Sequence, residues 1–228
     1  MTSFKLLACI TLLIGIISCK NNTIDTRDIS KTNHNTLPEN VALHYGFTNF
    51  EKVKTIAFTF NVQKTDKHII RNWKWNPTTN YVSFFSEEKE INFVHNACES
   101  KKEIELDKMF VNDSYWLLFP YHLIWDKQNY SYTVTENILS PLYKNKCTKL
   151  TITYLKGDGY TPNDIYELFL NENFEITEWI YRKNASITPT KTTTWEKTIA
   201  IDGVKISTYH SGEKGKFKVW FTSINIEN

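Results

Sequence analysis

The sequence predicts a mostly β domain, α+β in class. The expected form is a single curved antiparallel sheet, or half-open β-barrel, of about ten or eleven strands with one short helical insert. Three observations carry this. Aromatic residues make up 14% of the chain, with 7 Trp, 12 Tyr and 14 Phe, and such side chains favour a pleated, half-buried surface. Alternating apolar and polar residues recur in short runs separated by turn residues. A single central stretch breaks the alternation with a helical period.

The elements follow in order. Ile56, Phe58, Phe60 and Val62 alternate with Ala57, Thr59 and Asn61, which reads as a half-buried strand. Residues 68–75 form a second strand with Ile69, Arg71, Trp73 and Trp75 on one face. Asn76, Pro77 and Asn80 mark the turn after it. Residues 81–85 and 91–94 continue the meander. Residues 100–110 show a weak helical pattern. Asn112, Asp113 and Ser114 offer an N-cap for a helix through Tyr115, Trp116, Leu117 and Leu118, which Pro120 should end or bend. Sheet returns with Leu150, Ile152 and Tyr154, then 165–170 and 176–181. A hairpin over 190–210 turns at Asp202 and Gly203, and 217–226 closes the chain.

The organisation is threefold: a signal peptide over 1–18, a lipid-anchored tether over 19–37, and one β-rich domain over 38–228. Lys5 precedes an apolar run that is too short to span a bilayer comfortably, which takes about 20 residues. Ile16, Ile17, Ser18 and Cys19 resemble a lipobox, in which only the Cys19 thiol forms the thioether that carries diacylglycerol. Several acyl chains anchor far better than one, at about 0.8 kcal/mol per buried methylene. Residue 20 is Lys rather than Asp, which at that position resembles the inner-membrane retention signal of enterobacterial lipoproteins. Right after Cys19 there is no acidic cluster of the kind that resembles a surface-export signal in Bacteroidetes. These resemblances imply the outer membrane, facing the periplasm, as the expected location. The polar stretch from Lys20 to Leu37 reads as a flexible tether.

The charge balance, 27 basic against 25 acidic residues, is nearly even and carries no basic stripe. Nucleic-acid binding is excluded on that ground. No sequence signature of a catalytic site stands out. There is no Gly-x-Ser-x-Gly elbow, no His-Glu-x-x-His pair, and the six histidines are scattered. The turn around Asp158 and Asp164 lacks the alternating acidic positions of a calcium loop. No metal site, catalytic residue or cofactor is expected, and a monomer is.

Two segments resemble an uncharacterised family of Bacteroidetes-type lipoproteins. One is residues 110–120, Phe-Val-Asn-Asp-Ser-Tyr-Trp-Leu-Leu-Phe-Pro. The other is residues 157–166, Gly-Asp-Gly-Tyr-Thr-Pro-Asn-Asp-Ile-Tyr. More distantly, the chain resembles the Lol-type (LolA/LolB-like) lipoprotein carriers. That resemblance implies a half-open antiparallel barrel covered by helices, with a hydrophobic cavity for acyl chains. No reaction is implied.

The aromatic residues admit two readings. They are simple core packing, or they line an apolar pocket on the concave face of the sheet. The candidate pocket comprises Phe58, Phe60, Trp73, Trp75, Phe84, Trp116, Leu117, Trp125 and Trp179. The leading expectation is a non-catalytic, lipid-anchored module that binds a lipid or acyl chain. The alternatives are an envelope protein that docks a protein partner and, third, a hydrolase-type enzyme. Cys98 and Cys147 are either bridged or two separate thiols. A bridge would close a loop of about 50 residues and contribute on the order of 4 kcal/mol.

Overall fold

The computed structural model describes residues 35–87, 89–155 and 161–228. The signal peptide, Cys19 and nearly all of the tether lie outside the described residues. So do Gly157 to Tyr160 of the second family-like segment.

The domain begins with two short helices, α1 (Leu37–His44) and α2 (Phe47–Phe50). The start of α1 is set by a capping box: Thr36 and Glu39 bond each other's backbone and side chain, and Pro38 lies in the first turn. Helical structure therefore reaches the last residue of the predicted tether. Gly46, at φ 89°, makes the break between the helices. A Cβ there would meet the Gly203 carbonyl.

Four strands follow as a meander: β1 (Thr55–Lys64), β2 (Lys67–Asn76), β3 (Tyr81–Phe85) and β4 (Glu90–Val94). Ile56, Phe58, Phe60 and Val62 point into the core as their alternation predicts. The predicted turn after β2 forms, with Asn76 Oδ1 accepting from the Thr78 and Thr79 N–H groups.

Next comes α3 (Lys101–Trp125), 25 residues long rather than a short insert. It starts at Ser100, whose hydroxyl accepts from the Glu103 N–H. Asn112, Asp113 and Ser114 are not a cap but lie mid-helix. Buried Asp113 receives a bidentate pair from Arg71 at 2.6 and 2.5 Å and the Trp73 indole N–H at 2.9 Å. Ser114 bonds back to the Val111 carbonyl. Pro120 does not end the helix. It removes the donor that the Trp116 carbonyl would otherwise receive, and fully buried His210 packs beside the Trp116 backbone.

The second half runs β5 (Tyr130–Leu139), β6 (Lys146–Tyr154), β7 (Ile165–Leu170), β8 (Ile176–Arg182), β9 (Lys191–Thr194), β10 (Glu196–Ile201), β11 (Val204–Ser211) and β12 (Phe217–Glu227). β5 was not predicted. As an edge strand it is exposed on both faces, so its sequence lacks clean alternation. Twelve strands among the described residues form two antiparallel sheets rather than one. The orders are β10-β11-β12-β1-β2-β3-β4 and β5-β6-β7-β8-β9.

The division falls inside what the sequence reads as a single strand. At Trp195 the chain leaves β8 and joins β11. The Trp195 N–H still donates to Thr177 (2.8 Å), and a single bridge links Thr193 to Gly212. The sheets therefore continue through one broken strand into an open, curved wall around α3, with β4 and β5 as its outer edges. Cys98 and Cys147 are free thiols, so the bridge is not formed. Cys98 follows β4 in one sheet and Cys147 lies in β6 of the other, each with its sulfur near a local backbone carbonyl. Burial pushes the Cys98 thiol up to about 11 and also raises Cys147.

Candidate functional site: a cleft along helix α3

The concave face is largely filled. Phe58, Phe60, Trp73 and Leu117 are buried core, and half-buried Phe84 packs on Trp73 at 4.9 Å between ring centroids. Trp116 packs at 4.7 Å against Trp179 of β8 and also touches Phe217 and His210. The helix thus occupies the space in which the sequence allowed a pocket.

The space left lies beside the helix, in a cleft of about 790 Å³. This is within the range of small-molecule sites. Its walls come from α2 and the residues after it, the β2–β3 turn, the segment after β4, one face of α3, and the end of β6. Of the nine pocket candidates, Trp75 and Trp125 line it. Trp116 and Trp179 instead line an adjoining cleft of about 730 Å³, which shares Asn96, Val111, Tyr115 and Thr161 with the first.

A continuous run of rings forms one wall of the main cleft. Phe110 lies 5.6 Å from Trp75, Trp75 lies 5.9 Å from Trp125, Trp125 lies 5.0 Å from His122, and His122 lies 4.0 Å from Tyr115. Trp125 is 36% exposed, whereas Trp75 is 8% exposed.

A polar group sits among these rings. Asp126 Oδ2 accepts from Tyr154 at 2.7 Å and Tyr115 at 2.8 Å, and lies 3.0 Å from His122 Nδ1. Burial pushes the Asp126 carboxyl up, but His122, Tyr154 and Tyr115 outweigh it and hold the group below its ordinary value of 3.8. Burial and the neighbouring carboxylate raise both tyrosines. Two nitrogens of the wall, Trp75 Nε1 and His122 Nε2, have no hydrogen-bond partner among the described residues. Each such buried group costs about 1–3 kcal/mol.

The sequence reading missed His122, Asp126, Tyr115 and Tyr154. The signal was the i, i+4 spacing of His122 and Asp126, which places them on one helical face. It carries no meaning if Pro120 ends the helix. Chemically the pair orients an imidazole. The cleft's serine, Ser114, lies eight residues from His122 on the same helix, about 12 Å along its axis. Among the described residues no group of three or more His, Cys, Asp or Glu could hold a metal ion. No described helix is long and apolar enough to cross a membrane.

The fold, then, is an open, curved antiparallel wall wrapped around a long helix. No family model matches the chain, and no curated protein does. Solved structures resemble it. One is a LolA-superfamily protein from Nitrosomonas europaea, at 9% identity over 85% of this chain and 95% of that one, with a TM-score of 0.49. Another is a DUF1329-family protein from Desulfovibrio piger, at 10% identity over 85% and 94%, with a TM-score of 0.44. A third is an outer-membrane lipoprotein-sorting protein domain from Vibrio parahaemolyticus, at 7% identity over 76% and 85%, with a TM-score of 0.43.

Proposed function

We propose that this chain is a lipid-anchored, non-catalytic module of the cell envelope that holds a hydrophobic ligand, a lipid or acyl chain, in the cleft beside α3. The observation that carries the reading is the cleft of about 790 Å³ walled by Trp75, Trp125 and Phe110. Such a wall favours an apolar chain by the area it removes from water, at about 25 cal/mol per Å². The anchor is Cys19, carried by the lipobox-like Ile16, Ile17, Ser18 and Cys19, and the location is the periplasmic face of the outer membrane.

Two measurements test this. Cys19→Ala is expected to release the protein from the membrane fraction. Unchanged fractionation sinks the anchor. Native mass spectrometry of protein purified from its own host is expected to show a co-purifying lipid, and Trp125→Ala to lose it. A chain that carries no lipid, and that takes up no methyl dodecanoate when offered it, is not a lipid binder.

A partner-docking role has one specific observation in its favour. Tyr132 and Val134 of β5 pair with Ile152 and Leu150, and so share the concave face with two buried residues, yet both remain exposed. An uncovered apolar ledge on an edge strand suits an added strand or surface.

A further inference from the structure

The phase of the β5–β6 ladder decides which backbone groups of β5 are free. The Leu155 N–H donates to the Asn129 carbonyl at 2.8 Å, whereas the Tyr154 N–H donates away from β5, to the Asp164 carbonyl at 2.9 Å. In an antiparallel ladder such bonded pairs recur at every second residue. Ser131, Thr133 and Thr135 therefore bond to β6, opposite Thr153, Thr151 and Lys149. Tyr130, Tyr132 and Val134 turn their N–H and C=O groups to the open side. From Ser131 to Asn137 the strand is exposed, so nothing described in the chain covers that row.

Proteins blunt such edges with charge, proline, bulges or short strands. The other free edges of the two sheets follow this rule. β4 is 5 residues long and opens on Glu90, and β10 carries Glu196 and Lys197, with Lys197 at φ 55°. In β5, residues 130–135 read Tyr-Ser-Tyr-Thr-Val-Thr, with no charge, proline or glycine. Only beyond them does the register shift, between Thr135 and Ile138, with Asn137 at φ 57°.

The missing charge points to one kind of partner. An isologous contact sets a surface patch against itself, so a charge near its centre meets its like and repels. Residues 130–135 carry no such penalty, and a charged strand from another protein would find no counter-charge on them. Antiparallel pairing about an axis at Tyr132 sets Tyr132 against Tyr132, Tyr130 against Val134, and Ser131 against Thr133. Tyr132 and Val134, now 41% and 42% exposed, are then covered on the concave face, and hydroxyl side chains meet on the other.

We infer that residues 130–135 of β5 pair antiparallel with the same residues of a second copy of this chain, about an axis at Tyr132. The inference rests on the docking role of β5 and gives it one occupant; the cleft plays no part in it. One short strand pair falls well below the roughly 1,200 Å² of a stable interface. The copies are therefore apart in dilute solution, and a shared membrane anchor would raise their effective concentration.

The test is a disulfide trap, which makes a weak pairing permanent. The full chain purified from its own host is oxidised with copper phenanthroline and read on non-reducing gels. In the pair, the two Tyr132 Cα atoms lie about 5.5 Å apart, inside the limit of about 7 Å for a bridge. Thr135 instead faces Asn129, which puts the two Thr135 positions about 20 Å apart. Both side chains are exposed, so neither substitution touches the core. Tyr132→Cys is expected to give a covalent dimer in about tenfold greater yield than Thr135→Cys. The wild type, with Cys98 and Cys147 as free thiols, sets the background. Adding Val134→Pro to Tyr132→Cys is expected to remove the excess, because proline deletes an outward N–H that β6 does not use. Equal yields from Tyr132→Cys and Thr135→Cys, or no dimer from either, overturn the pairing. An excess that survives Val134→Pro overturns the backbone-paired register. A Tyr132→Cys bond to a different protein overturns self-pairing and leaves the docking role of β5 standing.

Discussion

His210 is a pH liability built into the core. It is fully buried, and burial drives its imidazole down to about 3, with the Thr194 and Trp116 backbone carbonyls pulling weakly the other way. The ordinary value is 6.5. Between these two values the unfolded chain binds a proton that the folded chain refuses, so stability falls as pH drops through this window and is complete above it. A shift of this size corresponds to a loss on the order of 5 kcal/mol by the bottom of the window, a large share of the 5–15 kcal/mol typical of a domain. Asp126 acts in a separate window. Its folded value is depressed, so its contribution is present above 3.8 and disappears as pH falls below that. Urea titrations at pH 7 and pH 4.5 are therefore expected to show a marked loss of stability in the wild type and a much smaller one in His210→Gln. Equal losses in both proteins would assign the acid sensitivity elsewhere. Nothing in the sequence distinguishes His210 from the other five histidines. Its burial comes from contacts with Trp116 and Trp195, which lie far from it along the chain.

At the scale of elements, most strands are legible in the sequence, and the helix is legible only as two pieces, 100–110 and 115–118, of what is one helix. Period-two alternation in 56–62 gave the inward face of β1 because one side meets the core and the other meets solvent. β5 escaped for the converse reason, having solvent on both sides. The helix misled because its polar residues look like caps. Asn112, Asp113 and Ser114 are all residue types preferred at an N-cap, but Asp113 is an interior tie whose partner, Arg71, lies in β2. Sequence order cannot show that pairing. The tie fastens the middle of α3 to the seven-stranded sheet, and Trp116 packs the same stretch against β8 of the five-stranded one. Asp113→Ala would leave the Arg71 guanidinium and the Trp73 N–H without their acceptor inside the protein. A loss of about 3–5 kcal/mol is expected, read as a shift of the urea midpoint at unchanged slope. A loss under about 1 kcal/mol would mean that packing alone seats the helix.

At the scale of the whole molecule, the single curved sheet inferred from the sequence and the two sheets of the structure differ at one residue. β9 and β10 read as one strand because nothing between Lys191 and Ile201 signals a turn. The chain does continue, but at Trp195 it changes partner from β8 to β11. Trp195 is itself buried and packs on Trp179 at 5.1 Å and on His210 at 4.3 Å, so a bulky ring fills the corner where the wall bends. The bend keeps β4 and β5 as two unpaired edges, and the wall curves around a helix instead of closing on itself. This geometry has a measurable consequence in backbone protection. β1 is bonded along its length to both β2 and β12, and its Ile56, Phe58 and Phe60 side chains are fully buried. β5 is bonded on one side only and is exposed along nearly its whole length. Local opening free energies range from near zero at such edges to the global value in core strands. Amides of β5 are therefore expected to exchange on the order of a hundredfold or more faster than those of β1, with the β9–β10 corner protected like the core because Trp195 seals it. Hydrogen exchange followed by mass spectrometry reads all three segments in one experiment. Rapid exchange at residues 191–201, matching β5, would mean that the two sheets open independently at Trp195. Slow exchange there together with rapid loss at β5 is the pattern of one continuous wall with a free edge.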